Sequence, residues 1–139
     1  MAIAPLSVPP AVKRGGRRVL FADDDPGMRA IVRMNLEAEG FEVTVVEDGD
    51  NALLEAERLL PDLIVLDVMM PGRDGFEVLR NLKARSDTAA IPVVLLTAKA
   101  TDLDVWEGWK SGADYYMTKP FNPEDLARFA QHILGLGDR

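Results

Sequence analysis

Four short apolar runs in this chain each stop on a residue that can do chemistry. Asp62-Leu63-Ile64-Val65-Leu66-Asp67 ends on a carboxylate, and Val68-Met69-Met70-Pro71-Gly72 breaks the pattern just after it. Val19-Leu20-Phe21-Ala22 runs into Asp23, Asp24 and Asp25. Val93-Val94-Leu95-Leu96 ends on the hydroxyl of Thr97, and Tyr116-Met117-Thr118 ends on Lys119, followed by Pro120. If these runs are parallel strands, all four ends lie on the carboxyl edge of one sheet, where open α/β sheets bind ligands. Carboxylates, a hydroxyl and an ammonium gathered there suit phosphoryl transfer. Two acids about 5 Å apart at an effective dielectric of ~20 repel by roughly 3 kcal/mol. A divalent cation would relieve that repulsion and bridge to phosphoryl oxygens.

The elements that must position these residues have clear signals. Strands are expected at about 17–23, 41–46, 62–67, 92–97 and 114–118. Helices alternate with them, the pattern of a doubly wound α/β sheet. Asp25-Pro26 supplies an N-cap and a first-turn proline, with Met28, Ile31, Val32 and Leu36 at helical spacing behind it. Asp48-Gly49 opens a second helix with Ala52, Leu53, Ala56 and Leu60 on its apolar side. Asp74 and Glu77 have the spacing of a capping box ahead of Val78, Leu79 and Leu82. Asn122-Pro123 starts the last helix, with Leu126, Phe129, Ala130 and Ile133 along one side.

Bulk properties exclude several chemistries. There is no cysteine, so disulfides, thiol catalysis and zinc thiolate sites are out. The single histidine, His132, falls on the last amphipathic stretch at an expected solvent-facing position, away from any triad. The 139 residues are enough for one domain with a substantial core, and no apolar run approaches a membrane span. Residues 1–16 contain Lys13 and Arg14 but no acid, so the remainder is more acidic than the net −7 of the chain. Such a domain is a poor direct ligand for nucleic acid. The first 16 residues, broken by Pro5, Pro9, Pro10, Gly15 and Gly16, read as a disordered extension ahead of a domain over 17–139. Prolines interrupt what a signal peptide would need as an unbroken apolar core, so a cytoplasmic location is expected.

Together, Leu20-Phe21-Ala22-Asp23-Asp24-Asp25-Pro26, Leu66 through Gly75, Leu96-Thr97-Ala98-Lys99 and Gly112 through Phe121 resemble the receiver domain of two-component response regulators. The resemblance runs from about Arg18 to Leu134. It implies a flavodoxin-like five-stranded parallel sheet of order 2-1-3-4-5, with helices on both faces. It also implies that Asp67 accepts a phosphoryl group from a histidine kinase or phosphotransfer protein, catalysing its own modification without turnover of a separate substrate. Mg²⁺ would be held by Asp24, Asp67 and the Met69 backbone carbonyl, with Asp23 acting through water. Lys119 and Thr97 would contact the phosphoryl group, as would the backbone N–H groups of Ala98 and Met69. A cis peptide is implied before Pro120. Thr97 and Tyr116 take the family's switch positions. Val105, Trp109, Tyr115 and Phe129 would belong to the output surface, where a downstream protein docks or the chain self-associates; Trp106 takes a core position.

One departure bears on the output. Winged-helix DNA-binding members often show Ala-Asp-Asp-Tyr before the switch lysine and an arginine on the last helix. Here the tetrad is Ala113-Asp114-Tyr115-Tyr116, Phe129 stands near the arginine position, and Glu107 replaces an often basic residue. The expectation is therefore a protein partner, with no direct nucleic-acid or membrane contact. The rivals are a flavodoxin-like cofactor binder and a non-phosphorylated pseudo-receiver. The first is disfavoured by three acids where a phosphate loop belongs, the second by the full set of site residues. An aspartate-nucleophile phosphatase would usually carry a second acid where Met69 stands.

Overall fold

The computed structural model describes residues 17–98, 110 and 112–136. Five parallel strands form one sheet: β1 (Arg18–Ala22), β2 (Glu42–Val46), β3 (Leu63–Asp67), β4 (Val93–Thr97) and β5 (Tyr115–Thr118), in the spatial order β2-β1-β3-β4-β5. That is the expected 2-1-3-4-5 order. The chain steps from β1 outward to β2 and then crosses back to β3, so the topological switch lies between β1 and β3. Register sets the edge: Ala22 pairs with Leu66, Asp67 with Leu96 and Thr97 with Thr118.

Four helices occur among the described residues: α1 (Pro26–Ala38), α2 (Gly49–Leu59), α3 (Gly75–Ala84) and a last helix, α4 (Pro123–Ile133). Each begins on the expected cap. Asp25 accepts from the Gly27 N–H, Asp48 from Asn51, Asp74 from Glu77 and Asn122 from Glu124. Each such cap is worth about 1 kcal/mol.

Strand alternation splits the core into two layers. Val19, Phe21, Leu63, Val65, Val94 and Leu96 face Val32 and Leu36 of α1 and Leu126 and Ala130 of α4. Leu20, Ala22, Ile64, Leu66, Val93 and Leu95 face Ala52, Ala56, Val78, Leu79 and Leu82 of α2 and α3. Every residue of β3 and β4 is buried, as expected of central parallel strands covered on both faces.

Two core expectations need correction. Ile31 is 43% exposed, because the stripe of α1 that meets the sheet runs through Met28, Val32 and Leu36, and Ile31 is rotated away from it. Leu60 is 48% exposed, since α2 ends at Leu59 and Leu60 turns out as a left-handed C-cap with φ 47°. His132 is exposed, as expected. No helix among the described residues is long and apolar enough to cross a membrane. The N-terminal extension, Lys99, Val105, Trp106, Glu107 and Trp109 lie outside the described residues.

Candidate functional site

The carboxyl edge between β1 and β3 gathers the acids. Asp23 and Asp67 are buried and Asp24 is exposed, and one carboxylate oxygen from each lies within 4.8 Å of the others. β1 delivers Asp23 and Asp24 as it ends, while Asp25 turns away to cap α1. The Asp23 carboxylate accepts from the Asp25 N–H at 3.0 Å, which ties this turn together. Asp67 is the last residue of β3, and the chain leaves it tightly. Val68 N–H donates to the Leu96 carbonyl at 2.9 Å, and Gly75 N–H donates to the Val68 carbonyl at 2.9 Å. A Cβ at Gly75 would lie 2.5 Å from the Asp67 carbonyl oxygen, so only glycine lets α3 begin against the backbone of Asp67.

Lys119 reaches across from the end of β5. Its Nζ donates to Asp23 Oδ2 and to Asp67 Oδ2, both at 3.1 Å. Its backbone N–H donates to the Thr97 carbonyl at 2.7 Å, and the Lys119–Pro120 peptide is cis, as the resemblance implies. Burial pushes the Asp67 carboxyl above the usual carboxylate range, and the neighbouring Asp23 charge pushes the same way. The Lys119 bond and charge, with the Met69 N–H, offset this only in part. Burial alone would pull the Lys119 ammonium down, but its hydrogen bonds to Asp67 and Asp23, reinforced by their charges, outweigh it and hold it above its ordinary value.

The remaining candidates divide. Thr97 is buried at the end of β4, beside the Asp67 strand, and Ala98 is exposed just after it. The Met69 side chain is 72% exposed, and its backbone N–H points to Asp67 Oδ1 at 3.4 Å. Tyr115, assigned to the output surface by the resemblance, and Tyr116, at the switch position, face opposite sides of the sheet, as neighbours in a strand must. Tyr116 is half-buried against the α2–α3 layer. Tyr115 packs edge-on against Phe129, with centroids 5.3 Å apart and planes at 85°. Arg29, Lys83 and the contacts they make were not anticipated. Arg29 carried one available signal, a cation one turn into the helix that follows the acids.

Known proteins decide the family. A family profile described as the response regulator receiver domain matches residues 19–131. The chain belongs to that family. Receiver domains are the phosphoryl-accepting switches of two-component signalling, they interact with histidine kinases, and self-dephosphorylation is general to them. The chain is 44% identical over 110 residues to the DNA-binding response regulator MtrA of Mycolicibacterium smegmatis, covering 79% of this chain and 47% of that protein. Among solved structures, the chemotaxis protein CheY4 of Vibrio cholerae superposes with TM-score 0.80 at 34% identity, over 85% of this chain and 98% of that one. The receiver domain of the sensor histidine kinase PA1611 from Pseudomonas aeruginosa, with magnesium coordinated in its active-site cleft, superposes with TM-score 0.79 at 32% identity, over 86% of this chain and 98% of that one.

This receiver domain thus spans about half the length of the curated relatives it matches. Those relatives are DNA-binding regulators, so the expectation of no nucleic-acid partner is withdrawn for the whole protein. It rested on the charge of this domain and on Tyr115, Phe129 and Glu107, and neither reports on a segment beyond the domain.

Proposed function

We propose that Asp67 is the phosphoryl acceptor and that Asp23, Asp24, Asp67 and the Met69 carbonyl form its Mg²⁺ site. The observation that carries this is the charge imbalance at the β1–β3 switch: three carboxylates converge there, and Lys119 contacts two of them. All the donors are hard oxygens, which suits Mg²⁺ over a softer metal. Direct contacts are assigned to Asp24, Asp67 and the Met69 carbonyl, and Asp23 acts through water. When bound, the metal supplies positive charge against the phosphoryl oxygens.

The chain's own residues do the rest. An Asp67 carboxylate oxygen attacks phosphorus, an acyl phosphate P–O bond forms, and the P–N bond to the donor histidine breaks as that imidazole takes a proton. Lys119 remains at the site as a point charge for the new phosphoryl group. The Thr97 hydroxyl and the N–H groups of Ala98 and Met69 bind its oxygens. Movement of Thr97 toward the phosphoryl group frees space for Tyr116, a two-state element biased by a local charge event. The same site accounts for self-dephosphorylation once water reaches the acyl phosphate. The whole protein's partners are a histidine kinase or phosphotransfer protein upstream, and downstream a protein partner or a second copy of this chain.

The test is intact mass with Mg²⁺ and a small phosphodonor. The wild type should gain one phosphoryl group and Asp67→Ala none. Asp24→Ala should lose Mg²⁺ binding and labelling together, and Lys119→Ala should impair switching more than metal binding. Persistent labelling of Asp67→Ala overturns the assignment.

A further inference from the structure

Asp24 is the exposed acid of the cluster, and its carboxylate takes no hydrogen bond from the described residues. Its direction must then come from the backbone that carries it. The peptide between Asp23 and Asp24 is one rigid plane, so fixing the Asp23 carbonyl fixes where Asp24 begins. Arg29 does this. Its Nη1 donates to the Asp23 carbonyl at 2.9 Å, and its Nη2 stands 3.8 Å from Glu47 Oε1. The Arg29 side chain is 20% exposed, lodged between α1 and the end of β2. On the other side of the same residue, the Asp23 N–H donates to the Val46 carbonyl at 3.1 Å. The main chain of Asp23 is therefore held at both ends, and Arg29 is the side chain that holds the end leading into Asp24.

We propose that Arg29 is a positioning residue for the metal-binding acids, acting through the Asp23 carbonyl to aim the Asp24 carboxylate; this rests on the reading of Asp24 as a metal ligand. The sign of the effect separates position from charge. A guanidinium beside three acids repels an incoming cation, so a purely electrostatic role means that removing it tightens Mg²⁺ binding. A positioning role means that removing it weakens binding.

The experiment is calorimetric titration of the unphosphorylated chain with Mg²⁺ alone, with melting in chelator as a control for folding. Arg29→Met keeps the length and packing but cannot donate, and should weaken Mg²⁺ binding by about tenfold, the low end for loss of a group that orients metal ligands. Arg29→Lys, which can still donate to the carbonyl, should recover most of the affinity. Unchanged or tighter binding by Arg29→Met, or no recovery in Arg29→Lys, overturns the proposal. Asp24→Asn is the reference. If it binds Mg²⁺ as the wild type does, the reading of Asp24 fails and this proposal falls with it. If Asp24→Asn loses binding while Arg29→Met keeps it, only the role of Arg29 is wrong.

Discussion

Two lysines stand at opposite edges of the same sheet, and they do opposite things. Lys83, in the last turn of α3, donates to Asp114 Oδ2 at 3.0 Å and to the carbonyls of Ala89 and Ile91 at 3.1 and 3.0 Å. Its three N–H groups are matched by three acceptors. Asp114 Oδ2 also accepts from the Val93 N–H at 2.8 Å, which closes the amino edge of β4 and β5. One cation meets one anion, and every donor is satisfied. At the carboxyl edge Lys119 meets two acids with a third nearby, so negative charge is left over. The balanced cluster is a clip that holds the fold, and the unbalanced one is where the proposed cation and phosphoryl group would go. Residue type alone does not separate them; charge balance does.

That contrast can be broken by removing each lysine in turn. In chelator, Lys119→Met should cost about 3 kcal/mol, because two buried carboxylates lose their cation. For a domain of this size that is a Tm drop of roughly 10 °C, and Mg²⁺ should recover much of it by replacing the missing charge. Lys83→Met should cost about 2 kcal/mol in lost hydrogen bonds. Mg²⁺ should recover no more than it gives the wild type, and Asp67 labelling should be unchanged. Equal rescue of the two variants would mean that the charge-balance distinction is wrong.

The same contrast explains what could be read in advance. Strand ends that stop on Asp67, Thr97 and Lys119 are local features, and so are caps such as Asp48 and Asn122. Parallel pairing then brings the strand ends to one edge without further information. Lys83 to Asp114 spans 31 residues, and two of its other acceptors are backbone carbonyls, which carry no residue signature. Arg29 was missed for the same reason, since it binds a carbonyl. The division of Tyr115 from Tyr116 was legible from strand alternation, which puts neighbouring residues on opposite faces. Ile31 and Leu60 fit a helical period within a few residues, and only the packed axis shows which side of it they take.

Water access sharpens the comparison at the reactive edge. Met69 stands two residues past Asp67, with its side chain 72% exposed and its backbone N–H pointing to Asp67 Oδ1 at 3.4 Å. A thioether cannot orient an attacking water by hydrogen bonding, whereas a carboxamide can. Met69→Asn should therefore speed loss of the phosphoryl group severalfold, a barrier change of about 1 kcal/mol, measured as decay of the phosphorylated mass. An unchanged rate would show that approach of water does not run past this side chain.

The smallest effect is expected between β5 and α4, where Tyr115 and Phe129 form one half-buried edge-to-face pair. Such a pair contributes about 0.5–1.5 kcal/mol beyond area burial. Phe129→Leu keeps an apolar side chain and deletes the ring contact, so it should lower stability by about 1 kcal/mol and leave Asp67 labelling intact. If activated association uses this face, the variant should weaken it by a few-fold. Added salt should matter little, because apolar anchors dominate interface energetics and rim charges contribute weakly. The informative measurement is association of the phosphorylated chain, wild type against Phe129→Leu, at low and high ionic strength. A steep loss with salt and no effect of Phe129→Leu would assign the output face to charged residues, and the aromatic pair would then be a second clip of the same kind as Lys83.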